Sequence, residues 1–238
     1  MLNTFILPAC ANQTLGKALS NHQQCPAAPR LASFACRLAG RNKDSAYIAD
    51  KLAQRYRSFT DTVQFPIDGP LFPPAGDSAA PVVITVYISI ICPRCKQVCS
   101  FLYDSVTAGS LKGKARLQVK LLTVDNRDMA LLAADEQGVF WSYFRKCAAG
   151  GRRLDLPVLY AVAREMLLDM KKFKRAINDK KLHERALASR REAHANGVEF
   201  TPALFLNGYC YYSSDHPMWI VDAVEYEYRR TVAGRGQR

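Results

Sequence analysis

Val82-Val83-Ile84-Thr85-Val86-Tyr87-Ile88-Ser89-Ile90-Ile91, then Cys92-Pro93-Arg94-Cys95, then Lys96-Gln97-Val98-Cys99-Ser100-Phe101-Leu102-Tyr103 is the stretch that decides the fold. Ten residues dense in β-branched side chains read as a buried strand. The residues after the two cysteines have helical spacing, which places Cys92 at the N-cap or first turn of a helix. Unpaired backbone N–H groups and the helix dipole favour a thiolate over a thiol there. Cys95 lies one turn further in, within reach of Cys92 for a small disulfide ring. A thiol of lowered pKa beside a second thiol is the apparatus of thiol–disulfide exchange.

The composition bounds the rest. A chain of 238 residues can bury a full core and suits one domain with a smaller appendage. Hydrophobic residues make up 49% and charged residues 23%, the balance of an ordinary globular protein. The formal charge is +12, but its densest group, Lys171, Lys172, Lys174, Arg175, Lys180 and Lys181 with the arginines that follow, falls on amphipathic helix. That is a solvated face, without the aromatic interleaving of a nucleic-acid surface, so no nucleic-acid partner is expected. The longest apolar run is about half the length of a membrane span. Eight cysteines favour an oxidising compartment.

In chain order, residues 1–22 read as a disordered leader, with a remnant of a signal or lipoprotein peptide as the alternative, since Leu7-Pro8-Ala9-Cys10 resembles a bacterial lipoprotein cleavage box. Residues 23–66 read as a helical hairpin unit. Leu31, Phe34, Ala35 and Leu38 form one face before Gly40, and Asp44-Ser45 caps a second helix through Tyr47, Ile48, Leu52, Tyr56 and Phe59. Residues 67–81, rich in Pro and Gly, read as a linker. After the strand and its helix, Leu117–Val124 reads as a second strand, parallel to the first, in a βαβ unit. From about 128 to 196 the spacing is helical in four segments, the first running unbroken from Leu131 to Gly150-Gly151, and this is an inserted subdomain. Gly197 to Tyr212 reads as a hairpin turning at Asn207-Gly208. A helix from Asp215 to Tyr228 and a flexible tail over 231–238 close the chain.

This order, strand, Cys-x-x-Cys helix, strand, helical insertion, Thr201-Pro202 strand, Asn-Gly hairpin and final helix, resembles the thioredoxin fold, and more narrowly the Dsb-type oxidoreductases with a helical insertion. Supporting residues are Ala80-Pro81-Val82, Tyr87, Cys92-Pro93-Arg94-Cys95, Glu136-Gln137-Gly138-Val139-Phe140-Trp141 and Gly197-Val198-Glu199-Phe200-Thr201-Pro202-Ala203-Leu204-Phe205-Leu206-Asn207-Gly208. The fold class expected is therefore α/β, a thioredoxin fold over 82–230 with an inserted helical subdomain, preceded by a small helical unit. The resemblance implies that Thr201-Pro202 is a cis peptide facing the cysteines and that the Thr201 backbone pairs with an extended substrate. It also implies that Cys92 is the nucleophile, that Cys95 resolves the mixed disulfide, and that Pro93 and Arg94 tune the pair, Arg94 by its positive charge. Many such relatives carry a buried carboxylate six residues before the first cysteine. Here that position is Val86, and Ser89 stands where an acid often lies three residues before it.

The function expected is oxidation of extended or unfolded protein thiols in the periplasm or cell envelope, with a redox recycling partner, membrane-bound in one version, and neither cofactor nor metal. Three alternatives stand beside it. The stretch from Cys25-Pro26-Ala27-Ala28 to Phe59 resembles the short helical domain of the cytochrome c maturation thiol-reductase subunit, which suggests a reductase or haem-ligation helper. His22-x-x-Cys25 with Cys92-x-x-Cys95 could supply four zinc ligands. A binding module on a thioredoxin scaffold is the last. Cys99 reads as a small buried hydrophobe; Cys25 with Cys36, or Cys147 with Cys210, are open pairings.

Overall fold

The structure, a computed structural model, describes residues 3–21, 23–150, 154–213 and 216–235. The chain divides into two units, Met1–Gln64 with Tyr209–Arg238, and Phe65–Gly208.

In the first unit, residues 3–21, which fall in the expected leader, are folded. Strands β1 (Ile6–Leu7) and β2 (Gln13–Thr14) pair antiparallel, and α1 (Leu15–Ser20) follows, with the Thr14 side chain accepting from the Lys17 N–H. Leu7 and Leu15 are buried, and a Cys10–Cys25 disulfide staples the segment to the start of α2 (Ala28–Ala39). A short apolar segment of this kind gains its order from what it is fastened to, which local periodicity does not reveal. Helix α2 buries Leu31, Phe34, Ala35 and Leu38, the face set out by its spacing. Helix α3 (Ser45–Thr60) begins where Asp44 accepts the Tyr47 N–H at 2.7 Å. Its inner face carries one charge, Arg55. The guanidinium is fully buried, paired with Asp222 and packed over the rings of Phe34, Phe59 and Trp219 at 5.1, 5.0 and 4.8 Å. Asp222 and Trp219 belong to the closing helix (Pro217–Arg235), which outruns the expected Tyr228 and takes in most of the supposed tail. Asp215 and residues 236–238 lie outside the described residues.

In the second unit the residues expected as a linker are fastened down. Lys120 donates to the carbonyls of Asp68 and Gly69, and Arg185 to that of Leu71. Phe72 stacks on Phe140 at 4.0 Å, and β3 (Ala75–Gly76) pairs antiparallel with β5. Pro and Gly disfavour regular structure but not attachment. Strand β4 (Val82–Ile88) runs parallel to β5 (Ala115–Leu121) from Val82↔Ala115 to Ile88↔Leu121, and antiparallel to β6 (Ala203–Leu206) from Ile84↔Leu206 to Tyr87↔Ala203. Strand β4 is thus interior to the order β3-β5-β4-β6 and buried on both faces, which is why its sequence is apolar without alternation. Helix α4 (Pro93–Thr107) is the crossover that the parallel pairing of β4 and β5 requires.

Among the described residues the insertion holds five helices where four segments are expected: α5 (Asn126–Asp135), α6 (Phe140–Ala149), α7 (Leu156–Glu165), α8 (Met170–Ile177) and α9 (Lys180–Ala195). The expected first segment breaks at Gly138, whose φ of +73° no helical residue adopts. Beyond β6, positive φ at Asn207 and Gly208 turns the chain into β7 (Tyr209–Tyr211), where the hairpin signal lies.

Candidate active site

Strand β4 ends at Ile88, and the backbone then turns so that the Cys92 N–H donates to the Ser89 carbonyl at 3.1 Å. Cys92 is the N-cap of α4, extended at φ −73° and ψ 112°, with Pro93 opening the helix. Where a Ser or Asp oxygen would ordinarily cap, the sulfur does so: Cys92 Sγ accepts the Cys95 N–H at 3.2 Å. Cys92 is half-buried and Cys95 fully buried, and both are free thiols.

Across from them, Thr201-Pro202 is a cis peptide just before β6. The Cys92 thiol donates to the Thr201 carbonyl at 3.7 Å. The Thr201 side chain also acts on both sulfurs, a role that sequence reasoning confined to the backbone of this residue. Pro202 leads directly into the strand and donates nothing to it. Two exposed apolar side chains flank this wall, Ile91 before Cys92 and Phe200 before Thr201, the latter 74% exposed.

The two thiols are driven apart. Burial alone would raise Cys92, but hydrogen bonds from the Cys95 thiol, the Cys95 and Arg94 backbone N–H groups and Thr201 outweigh it and hold Cys92 below its ordinary value. Burial first, and then the bond it makes to Cys92, push Cys95 up. The Arg94 backbone N–H acts on Cys92, and the Arg94 side chain is exposed. This geometry suits one exposed nucleophile and one shielded partner.

A carboxylate absent from the sequence reading lies behind the loop. Val86 is fully buried in β4 and supplies no acid, but Asp128, in the first turn of α5, is also fully buried. Its Oδ1 accepts from Ser89 Oγ at 3.1 Å and the Ile90 N–H at 2.8 Å, and its Oδ2 from Thr123 Oγ1 at 2.5 Å. Burial, with a smaller contribution from Asp125, pushes its pKa up to about 6 against those three hydrogen bonds. The Ser89 backbone in turn hydrogen-bonds the Cys95 sulfur. Ser89 therefore touches Cys92, Cys95 and Asp128. No local pattern announces this, because Asp128 lies 33 positions beyond Cys95 and the helix N-terminus is an ordinary place for an acid.

The other cysteines fall into place. Cys99 is buried, and burial raises its thiol well above the usual range. Cys25 pairs with Cys10, so neither open pairing forms, and Cys36, Cys147 and Cys210 are free. The same disulfide removes Cys25 from the zinc set, of which His22 lies outside the described residues. Among the described residues no group of three or more His, Cys, Asp or Glu is placed to hold a metal. The Cys10 sulfur is likewise occupied, and it is the atom a lipid thioether would need.

Comparison with known proteins follows this geometry. A thioredoxin-like oxidoreductase from Silicibacter pomeroyi superposes with a TM-score of 0.58 at 20% identity, over 66% of this chain and 92% of its own. Wolbachia pipientis alpha-DsbA1 gives 0.58 at 17% identity, over 71% and 96%. Oxidised BdbD from Bacillus subtilis gives 0.58 at 15% identity, over 71% and 100%. At these identities the likeness is one of fold. Comparison with curated protein sequences finds no match. A family model described as thioredoxin matches residues 73–225, taking in the strand, both cysteines, the insertion and the cis-proline. A match over that much of the chain makes it a member of the thioredoxin family.

Proposed function

We propose that the chain is a protein thiol–disulfide oxidoreductase that oxidises extended protein substrates in the cell envelope. The observation that carries the proposal is the opposed pair of thiols: Cys92 half-exposed and held towards the thiolate, Cys95 buried and held as the thiol. In the oxidising direction a substrate thiolate attacks Cys92 Sγ of the Cys92–Cys95 disulfide. Cys95 leaves and takes up a proton, and a mixed disulfide remains. A second substrate thiolate then attacks the substrate sulfur of that bond, releasing Cys92 as its favoured thiolate. The substrate leaves as a disulfide and the protein as a dithiol, which a partner accepting two electrons must reoxidise. A stabilised Cys92 thiolate stabilises the dithiol, and that makes the couple oxidising.

Support for the substrate class comes from the Thr201 wall. Among the described residues no hydrogen bond engages the Thr201 N–H, so an extended chain can pair there beside Ile91 and Phe200. The Cys10–Cys25 disulfide suits an oxidising compartment. Among the described residues no helix is long and apolar enough to cross a membrane.

The test is the reduction potential of the Cys92/Cys95 couple in glutathione buffers. A value well above the roughly −270 mV of thioredoxin is expected for an oxidant. A value near thioredoxin's would replace this reading with the reductase one. Exchange at the wild-type rate by the Cys92→Ser protein would end both.

A further inference from the structure

Ile91 and Pro93, the neighbours of Cys92 on either side, line a groove of about 830 Å³ between α4 and α6. Its apolar floor continues through Ala148, Ala149 and Leu154. Its charged wall is made of Lys96, Arg127 and Arg145, and no carboxylate is among its described lining residues. Arg127 is turned to Asp125 at 2.5 Å and Arg145 to Asp104 at 2.8 Å, acids that do not line the groove. Both arginine side chains are partly exposed, so either fork can exchange its partner for a carboxylate that enters.

Lys96 is different. It follows Cys95 on α4, is only 9% exposed and, among the described residues, makes no side-chain hydrogen bond or ion pair. Its stem packs along α4 while its Nζ still reaches the groove, so an anion brought by a ligand meets a cation with no described ion-pair partner to displace. The three cations line the same groove as Ile91 and Pro93, the chain neighbours of Cys92, so the residues flanking a cysteine joined to Cys92 Sγ have a route to them.

We propose that this groove selects substrate polypeptides with Asp or Glu next to the reacting cysteine, the carboxylates engaging Lys96, Arg127 and Arg145 while the aliphatic stems lie on the floor. The inference rests on the exchange reading and specifies its substrate class. A polypeptide is the occupant because the groove is lined by both residues that bracket Cys92 and by residues of α6 as well as α4, so a chain continuing from a mixed disulfide can enter it.

The test uses the full-length protein, oxidised at Cys92 and Cys95, and three reduced dithiol peptides of one length whose flanks carry Glu, Gln or Lys. Each rate of oxidation is divided by the same peptide's rate with an uncharged small disulfide, which removes the effect of the flank on the peptide thiol itself. The Glu peptide is expected to react at least about tenfold faster than the Lys peptide at low salt, with the ratio falling as ionic strength rises. Lys96→Gln and, independently, Arg145→Gln at a half-exposed side chain should each reduce that ratio severalfold. Lys181→Gln, an exposed charge on α9 away from the groove, should leave it unchanged. Equal normalised rates for the three peptides, or a loss of preference in Lys181→Gln as large as in the groove variants, would overturn the groove and leave exchange standing. Wild-type protein that oxidises none of the peptides would instead overturn the exchange reading.

Discussion

Asp128 offers a prediction whose magnitude follows from the structure. Its carboxyl is fully buried, accepts from Ser89, Ile90 and Thr123, and titrates near pH 6 rather than at its ordinary value of 3.8. Because the folded pKa is raised, the folded state holds the proton more tightly than the unfolded chain does. The associated stability is fully present below the unfolded pKa and is lost as pH rises through the folded one. Two pKa units correspond to about 3 kcal/mol, of which about 2 kcal/mol is lost between roughly pH 4.5 and 7.5. Asp128→Asn removes the titration while keeping the shape and one acceptor oxygen. Urea unfolding of wild type and variant at both pH values isolates the effect, since every other titrating group is common to the two. The wild type should lose about 2 kcal/mol more than the variant on going to the higher pH. The absolute stability of the variant also reflects its altered hydrogen bonds, but the difference in pH dependence does not. Parallel losses in the two proteins would refute the raised pKa and the burial argument behind it.

Other perturbations probe other parts of the molecule. Cys95→Ser should accumulate mixed disulfides at Cys92, visible as added mass that reductant removes, and a variant that turned over normally would deny Cys95 its resolving role. The Cys92 thiolate, followed by its ultraviolet absorbance, should persist to a pH below the ordinary cysteine range, and a midpoint at or above that range would contradict the hydrogen bonds it accepts. Phe72→Ala should lower stability by about 3–5 kcal/mol in urea unfolding, because the ring is buried against Phe140; a loss within about 0.5 kcal/mol would return residues 67–81 to the status of a linker. Cys10→Ser opens a loop spanning 15 positions and should cost on the order of 3 kcal/mol by chain entropy, with no change in stability counting against a formed disulfide.

Much of the architecture was legible along the chain because it is written in local signals. The β-branched run of β4, the cap position of Cys92, the inward faces of α2 and α3 and the Asn207-Gly208 turn each depend on residues within one or two turns of each other. The helical insertion was legible as a whole, yet its first segment divides at Gly138, a single residue whose conformation no apolar period records. The pairing of Cys10 with Cys25 lies outside local reading because several cysteines satisfy the same arithmetic, and only the folding of residues 3–21 brings this pair together.

The placement of Cys92 and Cys95 at the start of a helix and the order of elements around them follow from sequence alone, since a strand that ends at Cys-x-x-Cys and continues as a helix constrains its own geometry. Tertiary structure decided the electrostatics. Whether Thr201 meets the Cys92 sulfur and whether the carboxylate missing at Val86 has a counterpart in Asp128 are settled by residues 39 to 109 positions apart. Spacing along a chain specifies which side chains share a face. It does not specify which buried charges are left facing one another once the faces have closed, and that depends on packing between elements that no local period encodes.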